Sequence, residues 1–213
     1  MSPKTADPSV RLALIDTAAR IVATEGPAAL TLRHLANEVG TSTMAIYTHF
    51  GSMDELALQV RREGFARFRS RLASIAESKD PMADLTLLGA AYYASATASP
   101  NLYRSMFLDG PIDDEDLATG LDTFVYLVKA IERCQQSGRF PAARSTDPAS
   151  MAVELWALTH GIVSLRLANL LPDTEAVEHL RSGARSLFLG WGDDPRKLRV
   201  SADRAQKRMN EVG

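Results

Sequence analysis

Residues 41 to 49, Thr41-Ser42-Thr43-Met44-Ala45-Ile46-Tyr47-Thr48-His49, concentrate hydroxyl groups and one imidazole on a short stretch without a formal charge. Hydroxyls donate and accept hydrogen bonds, so they suit phosphate oxygens and base edges alike, and the methyl of Met44 or Thr43 suits a thymine methyl. The other clusters offer less. Asp113, Glu115 and Asp116, with Asp114, resemble metal ligands by type, but consecutive acids point around a helix and these precede one, where its positive end favours them. His34, His49, His160 and His179 lack metal-ligand spacing. No nucleophile elbow, phosphate loop or dinucleotide glycine pattern occurs. The expectation is a binding protein, not an enzyme, with no metal and no cofactor.

The elements that would hold this run follow from its neighbours. Thr31 is a good N-cap for a helix through Val39, with Leu32, Leu35, Ala36 and Val39 on its apolar side. Gly40 follows, where a left-handed turn favours glycine, and Thr41 and Ser42 offer caps for a second short helix. Two helices joined by so tight a turn cross closely. The first needs a small residue at the crossing, Ala36, and the second needs a bulky apolar residue pointing inward, Ile46. This is a helix-turn-helix arrangement, and it leaves the outer face of the second helix free for a major groove.

The stretch LTLRHLANEVGTSTMAIYTHFGSMDEL, above all Tyr47-x-His49-Phe50, resembles the DNA-binding signature of the TetR (tetracycline repressor) family. Ile15, Ala18, Ala19 and Val22 with the turn at Glu25-Gly26 are similar to that family's first helix. The resemblance implies that Tyr47 and His49 contact the DNA backbone, and that Ser42, Thr43, Met44 and Arg33 face bases or phosphates. Thr31, Thr41 and Thr48 complete the expected DNA-binding set. One feature departs from the family: the positions after the aromatic motif where lysines often grip a phosphate are Gly51 and Met53. Ser52 with Glu55 still forms a capping box whose free N–H groups can hold a phosphate. Charge is sparse too. In residues 1–56, Lys4, Arg11, Arg20 and Arg33 are outnumbered by Asp7, Asp16, Glu25, Glu38, Asp54 and Glu55. A strongly basic footprint is therefore absent.

Periodicity elsewhere is helical, without a hairpin signal. Helices are expected near 10–25, 32–39, 43–49, 53–78, 82–98, 100–107, 115–138, 147–171 and 174–191, with Gly26-Pro27, Asp80-Pro81, Ser99-Pro100, Gly110-Pro111, Gly138 and Pro172 as breakers. The expected fold is all-α with about nine helices: a helix-turn-helix DNA-binding domain (1–52), a helical ligand-binding and dimerisation domain (53–192) and a loosely held polar tail (193–213) with room for a short helix. The net charge of −2 excludes a basic nucleic-acid coat, and 46% apolar residues suffice for a sizeable core. The single Cys134 excludes an intrachain disulfide. A start without an apolar signal core, and His160 and Arg166 within the longest apolar stretch, point to a cytoplasmic, nucleoid-associated protein without a membrane span.

In the fourth helix Arg61, Arg62, Arg67, Arg69 and Arg71 are expected to form a solvated face. The eighth helix is apolar or small on three sides, more than one core contact needs. Its small stripe, Ala157, Gly161, Ser164 and Ala168, with Leu165 beside it, favours close approach of another helix. With Leu180, Ala184, Leu187 and Trp191 of the ninth helix it is the expected homodimer interface, and the resemblance implies a four-helix dimer contact. Trp156-Ala157-Leu158-Thr159-His160-Gly161 resembles a WHG-type C-terminal domain of that family. Tyr92, Tyr93, Met106, Phe107, Phe124, Trp156 and His160 are the candidate lining of an effector site, and walls of that kind equally describe an ordinary core. No buried charge stands out, so the effector is expected to be small and largely apolar or aromatic. The resemblance implies a transcriptional repressor of a palindromic double-stranded operator.

Overall fold

Proline sets many of the helix starts. It stands at the first position of α1 (Pro8–Glu25), α5 (Pro81–Ala98), α6 (Pro100–Phe107), α8 (Pro148–Leu167) and α10 (Pro195–Val212). There its fixed φ suits the helix and its missing N–H would have had no partner. The remaining helices are α2 (Leu32–Val39), α3 (Thr43–Phe50), α4 (Met53–Ala73), α7 (Asp114–Gln136) and α9 (Asp173–Gly190). The computed structural model describes residues 7–108 and 113–212, and among them the regular elements are all helical. Lys4 and the Gly110-Pro111 breaker lie outside the described residues.

The chain forms two compact units, Met1–Phe68 with Ala98–Gly120, and Arg69–Thr97 with Leu121–Gly213. In the first, α1 buries Leu14, Ile15, Ala18, Ala19, Ile21 and Val22, a stripe at helical spacing. Leu35 and Ala36 of α2, Ile46 and Phe50 of α3, and Leu56 and Val60 of α4 are buried with them. Helix α6 packs on α1, and Asn101 donates to the Ala23 carbonyl at 3.2 Å. Gly64 makes the α4–α6 contact possible, since a Cβ there would stand 2.9 Å from Met106.

Of the expected solvated arginine face of α4, Arg67, Arg69 and Arg71 are exposed, but Arg61 and Arg62 are corrected by the structure. Arg61 is buried and donates to Asp116 at 2.7 Å and to the Ser105 carbonyl at 2.7 Å. Arg62 pairs with Asp113 and Glu115, each at 2.9 Å. The acidic run therefore neutralises these two arginines, and Asp116 is itself buried. A buried guanidinium needs such partners, because desolvation of an unpaired charge costs several kcal/mol.

The second unit has its core on Met82, Leu85, Ile131, Cys134, Phe140, Met151, Leu155, Phe188, Trp191 and Leu198. Helices α8 and α9 pack directly, and Gly183 admits Leu158, whose Cδ1 would lie 2.8 Å from a Cβ at that position. Cys134 is buried, which pushes its thiol up to about 12 and keeps it protonated at neutral pH.

Three expected boundaries move. Helix α4 stops at Ala73, not near 78, because the Ser74 hydroxyl bonds the Arg71 carbonyl and Ser78 turns back to Asp84. Helix α8 stops at Leu167, not 171, because Asn169 takes a left-handed backbone (φ 57) that ends it. The tail is not loosely held: residues from Pro195 form α10, which buries Leu198, Ser201 and Ala205. Polar ties hold it. The Ser201 hydroxyl donates to Asp80 at 2.9 Å and accepts from Arg139 at 2.9 Å, Arg139 grips Asp193 through two bonds of 2.7 and 2.8 Å, and Arg208 reaches Asp84 at 2.5 Å.

Candidate functional site

The turn between α2 and α3 is built by local chemistry. Thr31 caps α2, its hydroxyl oxygen accepting the His34 N–H at 3.2 Å. Gly40 ends that helix in the left-handed region (φ 71), and the Thr41 N–H closes the turn on the Ala36 carbonyl at 2.9 Å. Ser42 then caps α3, accepting the Ala45 N–H at 3.2 Å. Ala36 is buried at the crossing, and Ile46 and Phe50 point into the unit. The opposite side of α3 is open to solvent: Ser42, Thr43, Met44, Tyr47 and Thr48 are exposed, Met44 at 71% and Tyr47 at 46%.

The expected DNA-binding residues thus separate by position. Thr31 and Arg33 are exposed on or beside α2, whereas Thr41 and His49 are half-buried. Thr31 and Ser42 already use their side-chain oxygens as caps, and Thr48 donates its hydroxyl proton to the Met44 carbonyl at 2.9 Å. At the start of α4, Ser52 accepts the Glu55 N–H at 3.0 Å, while the Glu55 carboxylate takes Gln59 at 3.0 Å.

Cations here are few. Arg20 is tied to Glu38 at 2.5 Å, and Arg67 to Asp16 and Glu63. Arg11 lies over the Phe50 ring, 5.1 Å from its centroid, a cation–π contact that sequence reasoning missed because it joins residues distant along the chain. Among the described residues, no ion pair includes Arg33.

In the second unit four of the expected effector residues come together. The Trp156 Nε1–H donates to the Tyr92 hydroxyl at 3.3 Å, and that hydroxyl shares a hydrogen bond of 3.0 Å with His160 Nδ1. Phe124 meets Trp156 edge-on at 6.2 Å, and Trp156 lies 5.4 Å from the His160 ring. Burial holds the His160 imidazole below its ordinary value, so it is neutral near pH 7. Tyr93 donates to Asp173 at 2.8 Å; burial and then this carboxylate push its hydroxyl up to about 12. Met106 and Phe107 belong to the first unit, Met106 under Gly64 and Phe107 against Phe65 and Tyr103 at 5.2 and 4.9 Å. The space beside Gly89 is open on the face of α5 that carries Tyr92 and Tyr93.

Along α8, Ala157, Gly161, Leu165 and the capping Ala168 are exposed and Ser164 is half-buried, and nothing lies within 4 Å of where a Cβ on Gly161 would stand. Val153 and Glu154 extend this open side, beyond the expected stripe. On α9, Ala184 and Leu187 are partly buried against the core, and Leu180 is half-buried. Trp191, expected at the subunit interface, is corrected: it is buried in the chain's own core, 5.2 Å from Phe140, and donates to Glu154 at 3.2 Å.

A capped helix-turn-helix with a solvent-facing second helix defines a DNA-binding protein. Residues 14–60 match the model for bacterial regulatory proteins of the tetR family, and residues 85–184 match that for the tetracyclin repressor-like C-terminal domain. The chain belongs to the TetR family, and it is a DNA-binding transcriptional regulator. Solved structures share the fold. A protein of unknown function from Rhodococcus sp. RHA1 is 23% identical with a TM-score of 0.73, over 89% of this chain and 98% of that one. A TetR-family protein from Mesorhizobium loti MAFF303099 is 15% identical with a TM-score of 0.64, over 87% and 98%. A regulator from Saccharomonospora viridis, solved in complex with choline, is 21% identical with a TM-score of 0.64, over 84% and 95%. No curated protein matches in sequence. Among the described residues, no helix is long and apolar enough to cross a membrane, and no three His, Cys, Asp or Glu side chains gather as a metal set.

Proposed function

We propose that the protein is a cytoplasmic homodimeric repressor that binds a palindromic operator and is released by a small, largely apolar or aromatic effector. It uses no cofactor and catalyses no reaction. The exposed neutral side of α3 carries this reading, because Met44 and Tyr47 are large side chains left open to solvent, at 71% and 46% exposure. The open side of α8 supports pairing with a second copy, since Ala157 and Gly161 allow close helix approach. Pairing also meets the need to place two recognition helices about 34–36 Å apart. The rings of Tyr92, Phe124 and Trp156 support an effector that stacks, with the Tyr92–His160 pair as a polar anchor.

Mobility shift on DNA upstream of the protein's own gene tests this. Wild type is expected to retard a discrete duplex, and Tyr47→Ala to bind about tenfold more weakly or worse, the worth of a hydrogen bond to a charged phosphate. Light scattering should show the variant still dimeric. Full affinity in Tyr47→Ala would remove Tyr47 from the interface, and failure to retard any duplex would overturn the DNA reading. Titrating aromatic compounds into the complex then tests release, which requires unequal effector affinity for two conformations.

A further inference from the structure

The exposed side of α3 lacks the side chains that most often specify bases. Guanine is read by the paired donors of arginine or by lysine, and adenine by asparagine or glutamine. None of these four types occurs in Thr43–Phe50. Hydroxyls remain, which suit either partner of a base pair, and so does apolar contact. In the major groove apolar contact suits one feature, the C5-methyl of thymine.

Met44 is the side chain placed to make that contact. It is the second residue of α3, in the first turn, the part of a recognition helix that approaches base edges. At 71% exposure it is among the most exposed large apolar residues of the described chain. Thr48, one turn further on, has committed its hydroxyl proton to the Met44 carbonyl and cannot donate it to a base at the same time. The unbranched thioether has three rotatable bonds and adapts to a contact surface. Arg20 and Arg67 are paired to acids, and the exposed Arg33 lies on α2, so within α3 itself discrimination falls to neutral side chains.

We propose that Met44 reads a thymine methyl group in each operator half-site, so that a thymine at this step is the defining apolar feature of the site. The inference rests on the DNA-binding reading and names what that reading recognises.

Duplexes selected from a random pool by the full-length protein define the half-site. Each thymine is then replaced singly by deoxyuridine, which removes only the methyl group. At one thymine per half-site, wild type should bind about fourfold more weakly, the worth of one buried methyl, and about fifteenfold more weakly when both half-sites are changed. Met44→Ala should bind the thymine and uracil duplexes alike, and Met44→Leu should keep part of the preference. The proposal is overturned if the selected half-site lacks thymine, if no replacement weakens binding, or if Met44→Ala keeps the full discrimination. In each of these cases DNA binding itself stands. Enrichment of no duplex would instead sink the DNA-binding reading and this proposal with it.

Discussion

Asp84 shows how single carboxylates hold this molecule. Burial opposes its ionisation, yet the Ser78 N–H and hydroxyl, then Arg208 and Arg133, outweigh that and hold the carboxyl below the usual range. A carboxyl lowered in the folded state stabilises it fully above the unfolded value near about 3.9, and that contribution fades as pH falls through the lower folded value. Thermal melts should therefore lose stability below about pH 4. Asp84→Asn should lower stability near neutrality by about 2 kcal/mol and flatten the acid slope. That is less than the loss from breaking a fully buried pair, because Arg133 and Arg208 keep some access to water. An unchanged acid profile in the variant would remove Asp84 from this role.

The same comparison of local and distant chemistry explains which elements were legible. Helices α2 and α3 were readable to within a residue because Thr31, Gly40 and Ser42 act on atoms a few residues away. Helix α10 was not. Its anchor is Ser201 bonded to Asp80 and Arg208 bonded to Asp84, groups more than a hundred residues distant, and among its described residues Leu198 is the one large buried apolar side chain. Tyr92, Phe124, Trp156 and His160 were legible as aromatic residues on body helices, but periodicity could not separate them from Met106 and Phe107. At this scale α8 gives a test of assembly. Gly161→Arg places a long charged side chain where the face is open, so the fold should survive while light scattering reports a monomer and operator affinity falls at least tenfold. A variant that remains dimeric would assign pairing to another surface.

Taken whole, the chain is acidic by two charges, and its DNA-binding unit offers few unpaired cations. In the proposed dimer, one phosphate contact from each Arg33 and Arg11 would make roughly four, so log affinity against log salt should fall with a slope of about −4. A slope near −10 would show a cationic surface elsewhere, with Arg196, Lys197 and Arg199 of α10 the first candidates.

The lone thiol of Cys134, sealed on the core side of α7, has a practical corollary for measuring how the two copies of the proposed dimer stand on an operator. Because the native sulfur resists alkylation while folded, a cysteine introduced on the outer side of α1 would be the one group that takes a spin label or dye. Paired probes could then follow the separation of the two DNA-binding units, with and without an inducing compound, in otherwise unaltered protein.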